Sequence, residues 1–176
     1  MSKKYIANPV RDMPEWKPNT RPNCIIVDID GTLSNNQSGR SFYDESRVFE
    51  DTPRLQVVET IKAIQQSNPS DYTFVFSGRT NACRENTICW LEDKCGFIVV
   101  DHKCPLNTLN QVCLVMRNTG DNRNDAIVKM EMYEKHIKDK FNVMAVFDDR
   151  ASVIRNCWDK LGLFVFRCGR IDQDEF

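Results

Sequence analysis

Two carboxylates spaced two residues apart, Asp28 and Asp30, end a short apolar run at residues 24–27 and lead directly into Gly31-Thr32. Carboxylates crowded into one crevice repel each other and raise a pKa unless a cation lies between them. Such a pair can supply a nucleophile, a proton donor and ligands for a hard divalent metal ion. Two further apolar runs end in polar residues of the same kind. Residues 72–76 are followed by Ser77-Gly78-Arg79, and residues 143–147 by Asp148-Asp149-Arg150. A hydroxyl, a guanidinium and a second acidic pair, added to the first pair, make up the set that phosphate-ester hydrolysis requires: nucleophile, acid, metal ligands and donors around the phosphoryl oxygens.

These residues can act together only if the elements that carry them converge. Residues 24–27, 72–76 and 143–147 lack polar alternation and therefore read as strands buried on both faces. Residues 97–100, 112–116 and 163–166 add three more strands. Between them lie helical spacings. Leu55, Val58, Ile61 and Ile64 share one face of a helix over 54–66, with Asp51-Thr52-Pro53 as its cap and N1 proline. A second helix spans 84–94, with Ile88 and Leu91 inward, Trp90 beside them and Gly96 as its stop. A third spans 125–137, with Ile127, Val128, Met130 and Tyr133 apolar, and a fourth spans 151–160. Residues 34–40 read as a loop, and 101–111 as an excursion or small hairpin. Alternating strands and helices predict an α/β fold, a doubly wound, Rossmann-like parallel sheet. In such a sheet the strand ends meet at one edge, where ligands bind.

A chain of 176 residues has the length of one domain, placed at 23–176 behind a proline-bearing, extended arm at 1–22, which either packs Trp16 on the body or binds a partner subunit or substrate. The net charge of −1 gives no global attraction to nucleic acid or membrane, so a strand end would have to be gripped by a local cluster of Arg and Lys. None of the eight cysteines forms a C-x-x-C pair, which argues against a zinc ribbon; Cys95, His102 and Cys104 are a weaker metal candidate. No apolar stretch follows Met1-Ser2-Lys3-Lys4 and no run reaches membrane length, so neither a leader nor a span is expected. The cysteines then read as reduced thiols in a cytoplasm.

Asp28-Ile29-Asp30-Gly31-Thr32 resembles the first motif, DxDGT, of the haloacid-dehalogenase (HAD) phosphatase superfamily. Gly39-Arg40-Ser41, Ser77-Gly78-Arg79, the segment 120–129 with Asp125 and Lys129 four residues apart, and an acidic tail ending in Phe176 narrow the match. Together they are similar to the 3′-phosphatase domain of bacteriophage polynucleotide kinase/phosphatase, over residues 24–176. The resemblance implies that Asp28 is the nucleophile, forming an aspartyl-phosphate, and that Asp30 is the general acid and base. It implies Mg²⁺ held by Asp28, Asp149 and the main-chain carbonyl of Asp30, with Asp148 holding a metal-bound water or orienting its neighbours. Lys129, oriented by Asp125, would neutralise the phosphate, and Ser77, Gly78, Arg40 and Arg79 would bind it. The implied substrates are 3′-phosphates, and 2′,3′-cyclic phosphates, at DNA or RNA ends during end healing. A homo-oligomer and a ligase or kinase partner stay open, with location in a cytoplasm, that of the host if the chain is phage-encoded. The chain departs from the phage enzyme in two ways. It has no G-x-x-x-x-G-K, so kinase activity is not expected, and the stretch near 97–111 is longer, which changes the rim of the site. Two other readings remain: a HAD phosphatase of nucleotides or other small phosphates, and a non-catalytic end-binding subunit, which would not need Asp30.

Overall fold

Strands that are apolar on both faces are stable only between two layers that cover them. The computed structural model, which describes residues 20–35, 39–41, 44–100 and 109–169, has that arrangement. The strands are β1 (Asn23–Asp28), β2 (Ser34–Asn35), β3 (Thr52–Pro53), β4 (Tyr72–Thr80), β5 (Ile98–Val100), β6 (Gln111–Arg117), β7 (Asn142–Asp148) and β8 (Val165–Arg167). Six of them form an all-parallel sheet in the order β5-β6-β4-β1-β7-β8, and β2 and β3 form a short antiparallel ribbon. The chain builds outward from β1 through β4, then returns to the other side of β1 with β7. That reversal is the switch point at which open α/β sheets bind ligands.

The helices are α1 (Leu55–Ser67), α2 (Arg84–Asp93), α3 (Asp125–His136) and a short α4 (Ala151–Val153). Successive strand residues face opposite layers. Ile25, Val27, Val75, Val112 and Leu114 pack in one cluster with Val58 and Ile61 of α1 and Trp90 and Leu91 of α2. Cys24, Ile26, Phe74, Phe76, Cys113 and Val115 pack in the other with Val128 and Met132 of α3 and with Val153, Cys157 and Trp158. The doubly wound α/β reading therefore holds.

Several local details differ from the sequence reading. α1 starts at Leu55, its N-cap Arg54 makes no side-chain cap, and Thr52-Pro53 pairs with β2 instead of opening the helix. Asp51 does not cap α1: it closes the 3-10 turn at Glu45–Glu50 through its N–H, and its carboxylate is drawn into a buried ion pair, described below. β4 continues four residues past the expected apolar run and includes Ser77, Gly78, Arg79 and Thr80, with a register irregularity between Ser77 and Thr80. Ile127 is exposed, and the inward face of α3 is Ala126, Val128, Lys129 and Met132. After α4 the turns widen, with Asp159 N–H donating to the Ile154 carbonyl at 2.9 Å. The stop of α2 is as expected: Gly96 has φ +68°, its N–H reaches Glu92, and Phe97 N–H reaches Leu91. The expectations for the arm at 1–19, for 101–108 with His102 and Cys104, and for the tail at 170–176 lie outside the described residues. Among the described residues, no helix is long and apolar enough to cross a membrane.

Candidate active site at the carboxyl edge of the sheet

β1 and β7 lie side by side and end in Asp28 and Asp148. Their register brings both carboxylates to the same point, and α3 presents Lys129 between them. The Lys129 ammonium donates to Asp28 Oδ1 at 2.6 Å and to Asp148 Oδ2 at 2.8 Å. All three residues are buried. Burial alone would push the ammonium down, but Asp148 and Asp28 outweigh it and hold Lys129 above its ordinary pKa. Asp148 also accepts from Trp158 Nε1 at 2.9 Å and from the Arg150 N–H at 3.0 Å, so its orientation is fixed from three sides.

Asp149 completes an acidic group. Oxygens of Asp28, Asp148 and Asp149 lie within 4.8 Å of one another. Burial, then the charges of Asp148 and Asp149, push Asp28 up against the opposing pull of Lys129, and burial followed by Asp148 pushes Asp149 up to about 6. Three carboxylates set against one ammonium leave a deficit of positive charge. Hard oxygen donors around such a deficit suit a divalent cation. The DxDGT turn leaves room for Asp149: Gly31 has φ +89°, and a Cβ on it would fall 1.9 Å from Asp149 Oδ2. Thr32 Oγ1 donates to Asp149 Oδ1 at 3.5 Å.

Asp30 belongs to a separate set. β1 ends at Asp28 and Asp30 lies in the turn beyond it, so the two carboxylates do not share a strand face. The pKa-raising repulsion between them that their spacing suggests is therefore not what perturbs either one. Arg79 Nε and Nη2 fork onto Asp30 at 2.9 and 2.8 Å, and Arg40 Nη2 reaches it at 2.9 Å. Burial pushes Asp30 up, but Arg79 and then Arg40 outweigh it and hold the carboxyl below its ordinary range. Both guanidiniums also bind Asp51, Arg40 at 2.5 and 2.9 Å and Arg79 at 2.8 Å. Arg79 lies over the Trp90 ring at 5.7 Å, and Trp90 Nε1 donates to the Asp51 carbonyl at 2.7 Å. The forks read from sequence as phosphate grips thus rest on carboxylates. Among the described residues Arg79 Nη1 is buried without a hydrogen-bond partner, so this nitrogen of the cluster is unspent. Ser77 is fully buried, with its Oγ accepting from the Arg79 N–H at 3.1 Å.

The expected pairing of Asp125 with Lys129 is not formed, although their spacing puts them on one helix face. Two nearer guanidiniums take Asp125: Arg117 at the end of β6 and Arg150 after β7. Lys129 is drawn inward by two buried carboxylates instead. Gly78 permits this packing, since a Cβ there would lie 2.7 Å from Asp125 Oδ1. Asn124 caps α3 through Ala126 N–H at 2.9 Å. Arg117 Nη1 binds the carbonyls of Asp121 and Arg123 at 3.0 and 2.7 Å, which shapes the loop before α3. These groups, with Glu45 and Thr80, wall a cavity of about 590 Å³ with Asp28, Asp30 and Lys129 on its lining. That is within the range of about 300–1,000 Å³ in which clefts hold drug-sized ligands.

Sequence reading missed Asp51, Arg117, Arg150 and Trp158. Arg117 had a signal, because it closes an apolar run as Asp28 and Asp148 do. Asp51 carried none, since an Asp before Thr-Pro looks like a helix cap. The partnership of Trp158 with Asp148 depends on a helix packing back onto the sheet.

The profile of the family described as the polynucleotide kinase PNKP phosphatase domain matches residues 22–176. A protein of Autographa californica nuclear polyhedrosis virus, provisionally named a bifunctional polynucleotide kinase/RNA ligase, is 35% identical over 142 residues, which are 80% of this chain and 18% of that protein. Two solved structures, of the Pnkp1/Rnl/Hen1 complex and of the Pnkp1/Rnl/Hen1 RNA repair complex, each superpose with a TM-score of 0.73 at 28% and 29% identity. They cover 89% and 92% of this chain, which spans 47% and 46% of theirs.

Asp51 is the carboxylate that lets two buried guanidiniums stand side by side. Asp51→Asn keeps its shape and leaves Arg40 and Arg79 with Asp30 as their remaining carboxylate in the cluster. Urea denaturation should show a loss of about 3–5 kcal/mol, the scale of breaking a buried charge pair. A change below about 1 kcal/mol, the scale of an exposed pair, would mean that Asp51 does not neutralise the cluster.

Proposed function

The chain belongs to the family of polynucleotide kinase phosphatase domains, which are phosphoric monoester hydrolases, and from that membership we propose that it removes 3′-phosphates from DNA or RNA ends through an aspartyl-phosphate on Asp28 in a Mg²⁺-dependent reaction. The observation that carries this reading is the division of one cavity between two carboxylates with opposite surroundings. Asp28 stands among carboxylates with Lys129, and Asp30 stands among arginines. In the free protein those surroundings favour protonated Asp28 and ionised Asp30, so the roles of nucleophile and acid come from the family's DxDGT motif, and a divalent cation at the acidic group would ionise Asp28.

The steps follow from that division. An oxygen of Asp28 attacks phosphorus, the bond to the 3′-oxygen breaks, and Asp30 gives its proton to that leaving oxygen. Asp30 then takes a proton from a water that attacks the same phosphorus, which frees Asp28 and inorganic phosphate. In the free protein the arginines favour ionised Asp30. A phosphate dianion beside Arg79 competes for that guanidinium, which weakens its hold on Asp30 and returns the carboxyl toward its protonated form. Ser77 and the unspent Nη1 of Arg79 are the donors nearest in kind to what the equatorial oxygens need. The acidic group fits Mg²⁺, which Asp28, Asp149 and the main-chain carbonyl of Asp30 would hold, and which supplies the charge that offsets attack of a carboxylate on a dianion. The solved relatives are complexes with Rnl and Hen1, and the viral relative's name joins the kinase to an RNA ligase. Both favour an RNA end as substrate and a ligase as working partner.

Phosphate release from a 3′-phosphorylated oligonucleotide is the direct test. Asp28→Asn should abolish it with the melting temperature retained. Asp30→Asn should cut it by about two to four decades, the usual contribution of an acid–base group, with a smaller deficit on p-nitrophenyl phosphate, whose leaving group needs no proton. An equal deficit on both substrates would remove Asp30 from its role. If a free nucleoside 3′-monophosphate reacts as fast as the oligonucleotide, the chain is a small-molecule phosphatase.

Mg²⁺ should also raise the melting temperature of the wild-type protein, because it relieves repulsion in the acidic group. Asp149→Asn removes one of the crowded charges. It should melt no lower than wild type in EDTA and gain nothing from Mg²⁺. A gain equal to that of wild type would show that Asp149 is not a metal ligand.

A further inference from the structure

The acidic residues that line the cavity are not equally matched by cations. Asp28 is paired with Lys129, Asp30 with Arg40 and Arg79, Asp121 with Arg123, and Asp125 with Arg117 and Arg150. Glu45 lies on the same lining and forms no salt bridge among the described residues. Thr80 holds its carboxylate instead: Oε1 accepts from the Thr80 N–H at 2.6 Å, and Oε2 accepts from the Thr80 hydroxyl. The two oxygens of a carboxylate offer about four acceptor sites. The two bonds from Thr80, with the Cys83 thiol alongside, therefore fix the orientation of Glu45 without exhausting it. Thr80 directly follows Arg79, whose guanidinium forks onto Asp30, so Glu45 is tied to the wall that carries Asp30. A carboxylate with no cation beside it repels phosphate and can only accept. The part of a substrate that suits it is an uncharged donor.

At a polynucleotide 3′ end the uncharged donor nearest the reacting group is the ribose 2′-hydroxyl, on the carbon next to the one that bears the 3′-oxygen. Asp30 must reach that 3′-oxygen to protonate it, so the ribose stands against the wall shared by Asp30, Arg79, Thr80 and Glu45. We propose that Glu45 accepts a hydrogen bond from the 2′-hydroxyl of the terminal nucleotide, and so makes the chain prefer a ribonucleotide end to a deoxyribonucleotide end. Thr80 is the positioning residue that holds the carboxylate for it. The inference rests on the 3′-phosphatase reading above and supplies its sugar specificity.

Three 3′-phosphorylated oligonucleotides test it, identical except that the terminal nucleotide carries a 2′-hydroxyl, a 2′-hydrogen or a 2′-fluorine. Wild type should favour the hydroxyl over the hydrogen substrate by about tenfold or more in kcat/KM, the range of a hydrogen bond to a charged group. The fluorine substrate should also stay below the hydroxyl one. Fluorine activates the leaving oxygen at least as well as a hydroxyl but donates nothing, so it separates recognition from leaving-group chemistry. In Glu45→Ala the hydroxyl preference should shrink to less than about threefold, as expected when the interaction is already gone. Glu45→Gln, which keeps an acceptor but not the charge, should fall between them. Thr80→Val, which removes one of the two bonds that aim the carboxylate, should lower the same preference. Each ratio is taken within one protein, so a loss of stability shared by all three substrates cancels. An equal preference in wild type and Glu45→Ala, or a fluorine substrate as fast as the hydroxyl one, would overturn the assignment; an unchanged ratio in Thr80→Val would remove Thr80 from its positioning role. If wild type releases phosphate from none of the three but does so from small phosphate esters, the 3′-end reading itself falls.

Discussion

Charge balance at the carboxyl edge of the sheet constrains everything around it. Asp28, Asp148 and Asp149 are brought together by strand register, and the cost of crowding buried carboxylates is offset by the ammonium of Lys129. Lys129 can reach them because α3 begins where it does, capped by Asn124 and held through Asp125 to the ends of β6 and β7. The loop after β1 must then carry Arg40 back to Asp30 and Asp51, so that a second buried network forms beside the first without merging with it. The fold thus delivers two carboxylates of one short motif into environments of opposite sign. One is pressed upward by burial and like charge, the other held down by arginines.

The sheet was legible in the sequence because continuous apolar runs admit few alternatives and because three of them end in chemistry-bearing residues. α3 and the Gly96 stop of α2 were legible for the same local reasons, periodicity and turn preference. What was hidden depends on long-range pairing. The spacing of Asp28 and Asp30 suggests one strand face; both do line one cavity, but the strand stops between them and different charges surround each. The four-residue spacing of Asp125 and Lys129 suggests a pair, yet each finds a stronger partner from a different strand. Asp51 looks like a helix cap until two guanidiniums from distant segments claim it. Local patterns set where side chains can point, and the charges they meet there decide which contacts form.

The two networks also differ in how far they are closed. Around Asp28, Lys129 donates to two carboxylates, and a divalent cation would complete the balance. Around Asp30 the arginines are satisfied except for Arg79 Nη1. At the mouth, Arg150 has no hydrogen-bond partner at Nε or Nη2 among the described residues.

The central claim is that Asp28 attacks phosphorus before water does. The stereochemical course of the reaction tests it most directly. A 3′-phosphorothioate end made chiral with oxygen isotopes would be hydrolysed in isotopically labelled water, and the configuration of the released thiophosphate determined. Two successive in-line displacements, first by Asp28 and then by water, restore the original configuration. Retention is the predicted result. Inversion would mean a single displacement by water, and would contradict the assignment of Asp28 as nucleophile.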